Sequence, residues 1–332
     1  MSSGDPERVA LPEALRERPT ATTDLASAVG EVFSGTGPLA CRVTDFEPRA
    51  GQVEMAAAVA RAFEDGGILL AEAGTGTGKT LAYLVPAILS RKRVLISTGT
   101  KNLQEQIFFK DIPALREALD VPFTAAYMKG RANYLCLNRL DQLNGAAGPM
   151  SYDVFLPIVR EWAGRTTTGD RAELEDLPED LPFWNEVSAT AETCLGAECP
   201  RYDDCFVTRM RQQAAASDVV IVNHHLLCAD AAVRQSAFGE VIPACTHLVL
   251  DEAHQLEDVV TQYFGLSVSN YRIEDLARDA EQLAASNAVT DRKARDQIAR
   301  AVDRLRERSR AFFSEVAFGH RSADRIPSRS RT

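Results

Sequence analysis

Apolar residues fall into two rhythms along the chain. The short runs Ile68-Leu69-Leu70-Ala71, Val94-Leu95-Ile96, Val219-Val220-Ile221-Val222 and Leu248-Val249-Leu250 have the length and composition of buried strands. Stretches of helical period lie between them, the first from Lys79 to Leu89. Strands alternating with helices predict an α/β fold, a parallel sheet covered on both faces. Residues 132 to 205 break the rhythm with Gly, Pro, acids and four cysteines, which predicts an insertion. Beyond Asp258 the pattern is helical, with Ile273, Leu276, Ala280 and Leu283 on one stripe and Ile298, Val302, Leu305 and Phe312 on another. The polar break from Ser286-Asn287 to Asp291 then predicts an antiparallel helix pair. Residues 1 to 40 are polar and interrupted by Pro and Gly, a loosely attached arm with one amphipathic stretch near Leu25 to Phe33. Arg321, Arg325, Arg329 and Arg331 among serines predict an unstructured end.

Composition sharpens this picture in three ways. With 332 residues, 45% apolar and 25% charged, the chain is globular and long enough for two or three domains, which excludes a disordered or fibrous protein. No apolar run approaches the length of a membrane span and the first residues lack an apolar signal region, so a cytoplasmic protein is expected. The net charge of -10 opposes nucleic-acid binding by the surface as a whole. Between Arg91 and Arg131, however, eight basic residues face four acidic ones, a local patch able to meet phosphates. An odd count of seven cysteines in a reducing compartment predicts ligands or free thiols in place of a disulfide framework.

The string Ala73-Gly74-Thr75-Gly76-Thr77-Gly78-Lys79-Thr80 follows a predicted strand and opens a predicted helix, the setting of a phosphate-binding loop. Glycines let backbone N–H groups turn onto phosphate oxygens, and the helix start adds partial positive charge. Lys79 is then expected on the β- and γ-phosphates, and the Thr80 hydroxyl on Mg2+. Leu248-Val249-Leu250-Asp251-Glu252-Ala253-His254 supplies the matching acids at a strand's carboxyl end. Asp251 is placed to hold Mg2+ through water and Glu252 to orient and deprotonate an attacking water. Each motif has a plainer reading, a glycine-rich turn capping a helix and acids at a helix start, and their coexistence in one chain weighs against both.

These residues resemble the superfamily 2 helicases with a DEAH box, specifically the DinG-type, XPD-like iron-sulfur DNA helicases. The resemblance runs from about Phe46 to Tyr271. It implies a RecA-like P-loop NTPase sheet, with an inserted iron-sulfur cluster domain and the start of a helical arch domain. The expected boundaries are a flexible arm at 1–40, the ATPase domain at 41–130 and 206–255, the cluster insertion at 131–205, an arch segment at 256–317 and a disordered Arg/Ser-rich tail at 318–332. Ala73, where the strict loop motif has Gly, is at home in such ATPases. Glu47-Pro48-Arg49-Ala50-Gly51-Gln52 resembles the adenine-reading segment, with Arg49 and Gln52 as implied contacts; a plain helix N-terminus is the alternative. Together with Gly74, Thr75, Gly76, Thr77, Gly78, Lys79 and Thr80 they form the implied ATP set.

Ser97-Thr98-Gly99-Thr100-Lys101-Asn102 is similar to the family's motif Ia, so Thr98, Thr100, Lys101 and Asn102 are implied to grip a single-stranded DNA backbone. Hydroxyls, a helix start and a lysine suit phosphate contact without sequence readout; a second capped turn is the plainer reading. Lys129 to Cys136 resembles the family's entry into its cluster domain, and Cys136, Cys194, Cys199 and Cys205 follow. Spacing alone leaves Zn2+ and an iron-sulfur cluster both open; the resemblance implies a [4Fe-4S] cluster. Cys41, Cys228 and Cys245 read as buried apolar residues. His224 and His225 tempt a metal reading, but adjacent imidazoles point to opposite faces, and a structural or DNA-lining role is expected. For Tyr134 and Phe206, core packing is the ordinary role and base stacking the alternative. His254 is implied to relay between ATP and a second motor domain.

Nothing after Tyr271 resembles the second motor lobe, whose arginine finger stabilises the γ-phosphate transition state in the family. The expectation is therefore an amino-terminal part that binds nucleotide, hydrolyses it weakly and does not unwind DNA alone. Complete relatives run 5′ to 3′ on single strands and serve repair or replication. Two other classes stay open: a non-catalytic module that binds single-stranded DNA or a partner, and a metal-sensing P-loop switch unrelated to DNA.

Overall fold

The computed structural model describes residues 24–43, 46–74, 76–143, 154–174, 177–178, 181–191, 193–235, 240–264, 269–285 and 291–323. Among them, four parallel strands form one sheet in the order β2-β3-β1-β4: β1 (Val94–Thr98), β2 (Ala125–Tyr127), β3 (Val219–Asn223) and β4 (His247–Leu250). Val94 pairs with both Val219 and His247, and Ala125 pairs with Val219. Every residue of β1 and β3 is buried, as central parallel strands require. Alternation along the strands divides their side chains between two cores. Val94, Ile96, Val219 and Ile221 enter one, closed by the helices Leu25–Val32, Ala50–Asp65, Lys79–Leu89 and Ile112–Ala118. Leu95, Val220 and Val222 enter the other, closed by Tyr134, Leu135, Trp162, Phe183 and Trp184 of the insertion and by Phe206.

The structure departs from the sequence pattern at both ends. Leu25, Val29, Val32, Phe33 and Leu39 are buried in the first core, so the expected loose arm is, from Leu25 to Leu39, part of the fold; residues 1 to 23 lie outside the described residues. The amphipathic stretch simply found an apolar partner in the helix Ala50–Asp65. The run Ile68-Leu69-Leu70-Ala71 is not a strand. The sheet ends at β4, no described strand receives the run, and Ile68 and Leu70 are 93% and 92% exposed. The short β2, in contrast, is a strand that its sequence Ala-Ala-Tyr does not announce.

Residues up to Tyr263 form one compact unit and residues from Phe264 another. The helix Leu256–Phe264 therefore groups with the sheet, and not with the helical segment expected from 256. The second unit packs the helix Asn270–Ala285 on the helix Arg292–Ala323. The second helix runs six residues into the expected tail; residues 324 to 332 lie outside the described ones. Its buried contacts are Ala277 and Val302, with Leu276, Leu283 and Phe312 exposed. At about 100° per residue, positions four and seven after Ile273 stay on its face, whereas Leu276 and Leu283 drift off it. Arg306 crosses to Glu274 (2.8 Å) and to Glu281.

A buried ion group fastens the insertion to the sheet. The Lys129 side chain is 2% exposed, with Nζ 2.6 Å from Glu105 Oε1 and 2.7 Å from Asp170 Oδ2. Tyr127 Oη donates to the same Asp170 oxygen at 2.8 Å, and Asp170 forms an antiparallel bridge with Tyr134. Removing one member strands the others in a dry site, which costs about 3–5 kcal/mol. Lys129→Met is thus expected to lower unfolding free energy by about that amount. Arg165→Ala, which breaks an exposed pair with Glu161, should move it by less than about 1 kcal/mol; urea titrations of the two variants check the contrast.

Candidate active site

The loop before the helix Lys79–Leu89 takes its shape from two glycines. Gly76 and Gly78 have φ of 79° and 82°, where a side chain is strained, and a Cβ on Gly78 would stand 2.1 Å from Gln52 Nε2. Gln52, buried in the first turn of the helix Ala50–Asp65, donates to the Gly78 carbonyl at 3.0 Å. Arg49 Nη1 donates to the Gly76 carbonyl. Both residues expected at the base therefore rest on the loop's backbone. Thr77 Oγ1 donates to the Gly74 carbonyl at 2.8 Å, and Thr75 lies outside the described residues. Lys79 Nζ donates to the Ala73 carbonyl at 3.3 Å and pairs with Glu252 Oε1 at 3.0 Å.

The acids arrive from the end of β4. Asp251 N–H donates to the Ser97 carbonyl at 2.8 Å, one step past the last rung between β4 and β1. Glu252 then turns left-handed, φ 53° and ψ 43°, a conformation that costs a residue with a Cβ about 1–2 kcal/mol. That turn carries its carboxylate to Lys79 and to within 3.5 Å of His254 Nδ1. Asp251 Oδ2 accepts from Thr98 Oγ1 at 3.4 Å. Burial, and then the charge of Glu252, holds the Asp251 carboxyl above the usual range, with Lys79 opposing. A buried carboxylate in that state gains from any cation brought beside it. The Tyr83 hydroxyl is shielded from solvent without a hydrogen bond, and burial, then the Asp251 charge, push its ionisation well up.

Four placements differ from expectation or were missed. Thr98 is fully buried with its hydroxyl on Asp251, so it serves the acid side and is not on a DNA-facing surface. Thr100 caps the helix Lys101–Gln106 by accepting from Leu103 N–H at 3.2 Å, leaving Lys101 and Asn102 exposed on its first turn. Tyr83 went unnoticed, although it follows Lys79 by four and Thr80 by three and so shares their helix face. Gln255 also went unnoticed: its side chain fills the space beside Gly99, linking the acid turn to the loop after β1. No signal in the sequence marks that contact. His224 is fully buried and His225 exposed, the opposite directions expected of the pair.

Tyr134 and Phe206 are both core residues. Cys136, Cys194, Cys199 and Cys205 are free and half-buried; Cys228 is buried, and Cys41 is exposed, contrary to its reading as a core residue. Burial pushes the Cys136 thiol up, and the nearby Cys199 and Cys205 add to the shift. Half-buried Arg211, lowered by burial, faces Cys194 and Cys205. Among the described residues no three His, Cys, Asp or Glu side chains converge closely enough to hold a single metal ion. None of the described helices is long and apolar enough to cross a membrane.

Comparison with known proteins agrees with this geometry. The DEAD/DEAH box helicase profile matches residues 53–134, from the helix beside the loop to the start of the insertion. The chain is 47% identical over 258 residues to the ATP-dependent DNA helicase YoaA of Haemophilus influenzae, covering 77% of this chain and 40% of that protein. With YoaA of Escherichia coli it shares 43% over 282 residues, covering 84% and 44%. With the ATP-dependent helicase DinG of Mycobacterium tuberculosis it shares 40% over 260 residues, covering 71% and 38%. The chain thus carries a DEAD/DEAH box helicase domain and is similar over most of its length to the ATP-dependent helicases YoaA and DinG. It spans about two fifths of the length of these relatives.

Behind the site, burial raises the Asp111 carboxyl to about 6, and its charge also bears on Tyr83. Because the folded value lies above the unfolded 3.8, burial costs nothing while both states are protonated and has its full effect once pH passes about 6. Asp111→Asn should accordingly gain stability relative to the parent as pH rises from about 4 to about 6, by about 1–2 kcal/mol, and no further above about 7. Paired denaturant titrations across that range check the sign.

Proposed function

We propose that this chain is the nucleotide-binding part of an ATP-dependent DNA helicase. The observation that carries the proposal is the 3.0 Å approach of Lys79, on the phosphate loop, to Glu252, on the acid turn. Without nucleotide the lysine is neutralised by the acid. A triphosphate entering the loop draws Lys79 onto its β- and γ-oxygens and releases Glu252. The freed carboxylate then takes a proton from a water whose oxygen attacks the γ-phosphorus, with ADP as leaving group. Mg2+ held near Thr80 and Asp251 would neutralise charge on the phosphates. Lys101 and Asn102, exposed at a capped helix start, are suited to the phosphates of a single strand, with Thr100 as their scaffold. Unwinding belongs to the whole protein, in which coupling between ATP and the strand would pass through His254 and Gln255.

Cys136, Cys194, Cys199 and Cys205 fit a [4Fe-4S] cluster better than one zinc ion. The donors are four free thiols in one neighbourhood, and a cube of iron and sulfide spaces its ligands more widely than a single ion does. Arg211 beside Cys194 and Cys205 would offset the negative charge that four thiolates bring. Anaerobically purified chain is expected to carry iron and sulfide in equal amounts, and Cys199→Ser to lose both; zinc in their place would contradict the cluster.

For the nucleotide site, Lys79→Ala should weaken magnesium-ATP binding at least about tenfold. Glu252→Gln should keep binding or tighten it severalfold, since it frees the lysine, while lowering turnover about 10²–10⁴-fold. Nucleotide binding without turnover, with or without single-stranded DNA, would favour a non-catalytic binding module.

A further inference from the structure

Ser97 sends two bonds toward the acid turn. Its carbonyl accepts from Asp251 N–H at 2.8 Å, and its hydroxyl meets His224 Nδ1 at 2.7 Å. His224 opens the helix His224–Gln235 at the carboxyl end of β3, and its side chain is wholly buried. Nε2, on the other edge of the ring, is shielded from solvent without a hydrogen bond, and the backbone of Asp251 and Glu252 lies near the ring. With the Ser97 hydroxyl as donor to Nδ1, the ring hydrogen sits on Nε2, the buried nitrogen that has no partner.

Two further features converge on the same turn. Glu252 is left-handed, a strained state that persists only where neighbours fix it. Backbone bonds from Asp251 N–H to Ser97 and from Gln255 N–H to the Glu252 carbonyl hold its main chain, and its carboxylate is held by the ion pair with Lys79, which a bound triphosphate dissolves. An unfilled buried donor already aimed at the turn can take over that task.

We propose that His224 is the positioning residue of the acid turn: with nucleotide bound, its Nε2–H closes onto the carbonyl of residue 251 or 252. This keeps Asp251 and Glu252 aligned with the phosphate loop once Lys79 has turned to the phosphates. The inference rests on the nucleotide-site reading above and names a residue that the P-loop and acid motifs do not contain.

The test is the affinity of the 332-residue chain for a non-hydrolysable ATP analogue, measured with magnesium and with EDTA. In the parent, magnesium should strengthen binding. In His224→Phe that gain should shrink about three- to tenfold, the range of one lost hydrogen bond, with affinity in EDTA unchanged. His224→Gln, whose amide nitrogen can stand where Nε2 does, should recover most of the gain; His224→Asn, which reaches only the Nδ1 position, should not. Ser97→Ala, which leaves the ring in place but frees its tautomer, should lose a smaller part and supplies the answer if His224→Phe fails to fold. Unfolding midpoints taken alongside expose a purely structural role, which would lower both affinities together and treat Gln and Asn alike. That pattern, or an undiminished magnesium gain in folded variants, overturns the inference. A parent chain that binds the analogue under neither condition overturns the nucleotide-site reading instead.

Discussion

The meeting of a phosphate loop with a strained acid turn is the constraint on which the rest of this structure depends. Lys79 and Glu252 lie 173 positions apart in sequence, yet their charges stand 3.0 Å apart. They do so because β1 lies beside β4, the Ser97 carbonyl catches Asp251, and a left-handed Glu252 swings back over the loop. Both partners are partly exposed, so their attraction contributes little to stability. Its consequence is functional: each charge is held ready in a position that a triphosphate with its cation can claim. The raised carboxyl of Asp251 has the same character, a local cost that a bound cation would relieve.

The insertion is coupled to this arrangement by burial as well as by chain connectivity. Tyr134, Trp162, Phe183 and Trp184 close the sheet face opposite the helices that follow the loop. The Lys129 ammonium ties Glu105, on the helix that begins at Lys101, to Asp170, within the insertion. The exposed start of the helix at Lys101 and the segment between β2 and β3 therefore share one ion group, with Lys129 and Asp170 buried. A displacement of either is felt by the other through charges that cannot be rehydrated cheaply.

Local chemistry decided which parts of this were legible in the sequence. Short apolar runs announced β1, β3 and β4, and the loop and acid motifs announced the site, because each is written in neighbouring residues. Ile68 to Ala71 has the same texture but no described strand beside it, and a strand exists only with a partner. Leu25 to Leu39 looked detachable because its apolar positions are few, although they dock on a helix that has room for them. The stripe on Asn270–Ala285 was misjudged by one residue, Ala277 being small enough to sit against the partner helix where Leu276 points outward. The contacts of Thr98 and His224 are not written in neighbouring residues. Their partners come from β4 and β1, and only the sheet order brings those strands to them.

The central claim, that the loop and the acid turn clasp a single triphosphate from opposite sides, is tested most directly by calorimetric titration of the chain with magnesium-ATP. One nucleotide should bind per chain, with affinity weakened by Asp251→Ala and weakened further when Lys79→Ala is added. Binding that survives both substitutions unchanged, or no saturable binding in the parent, would contradict it.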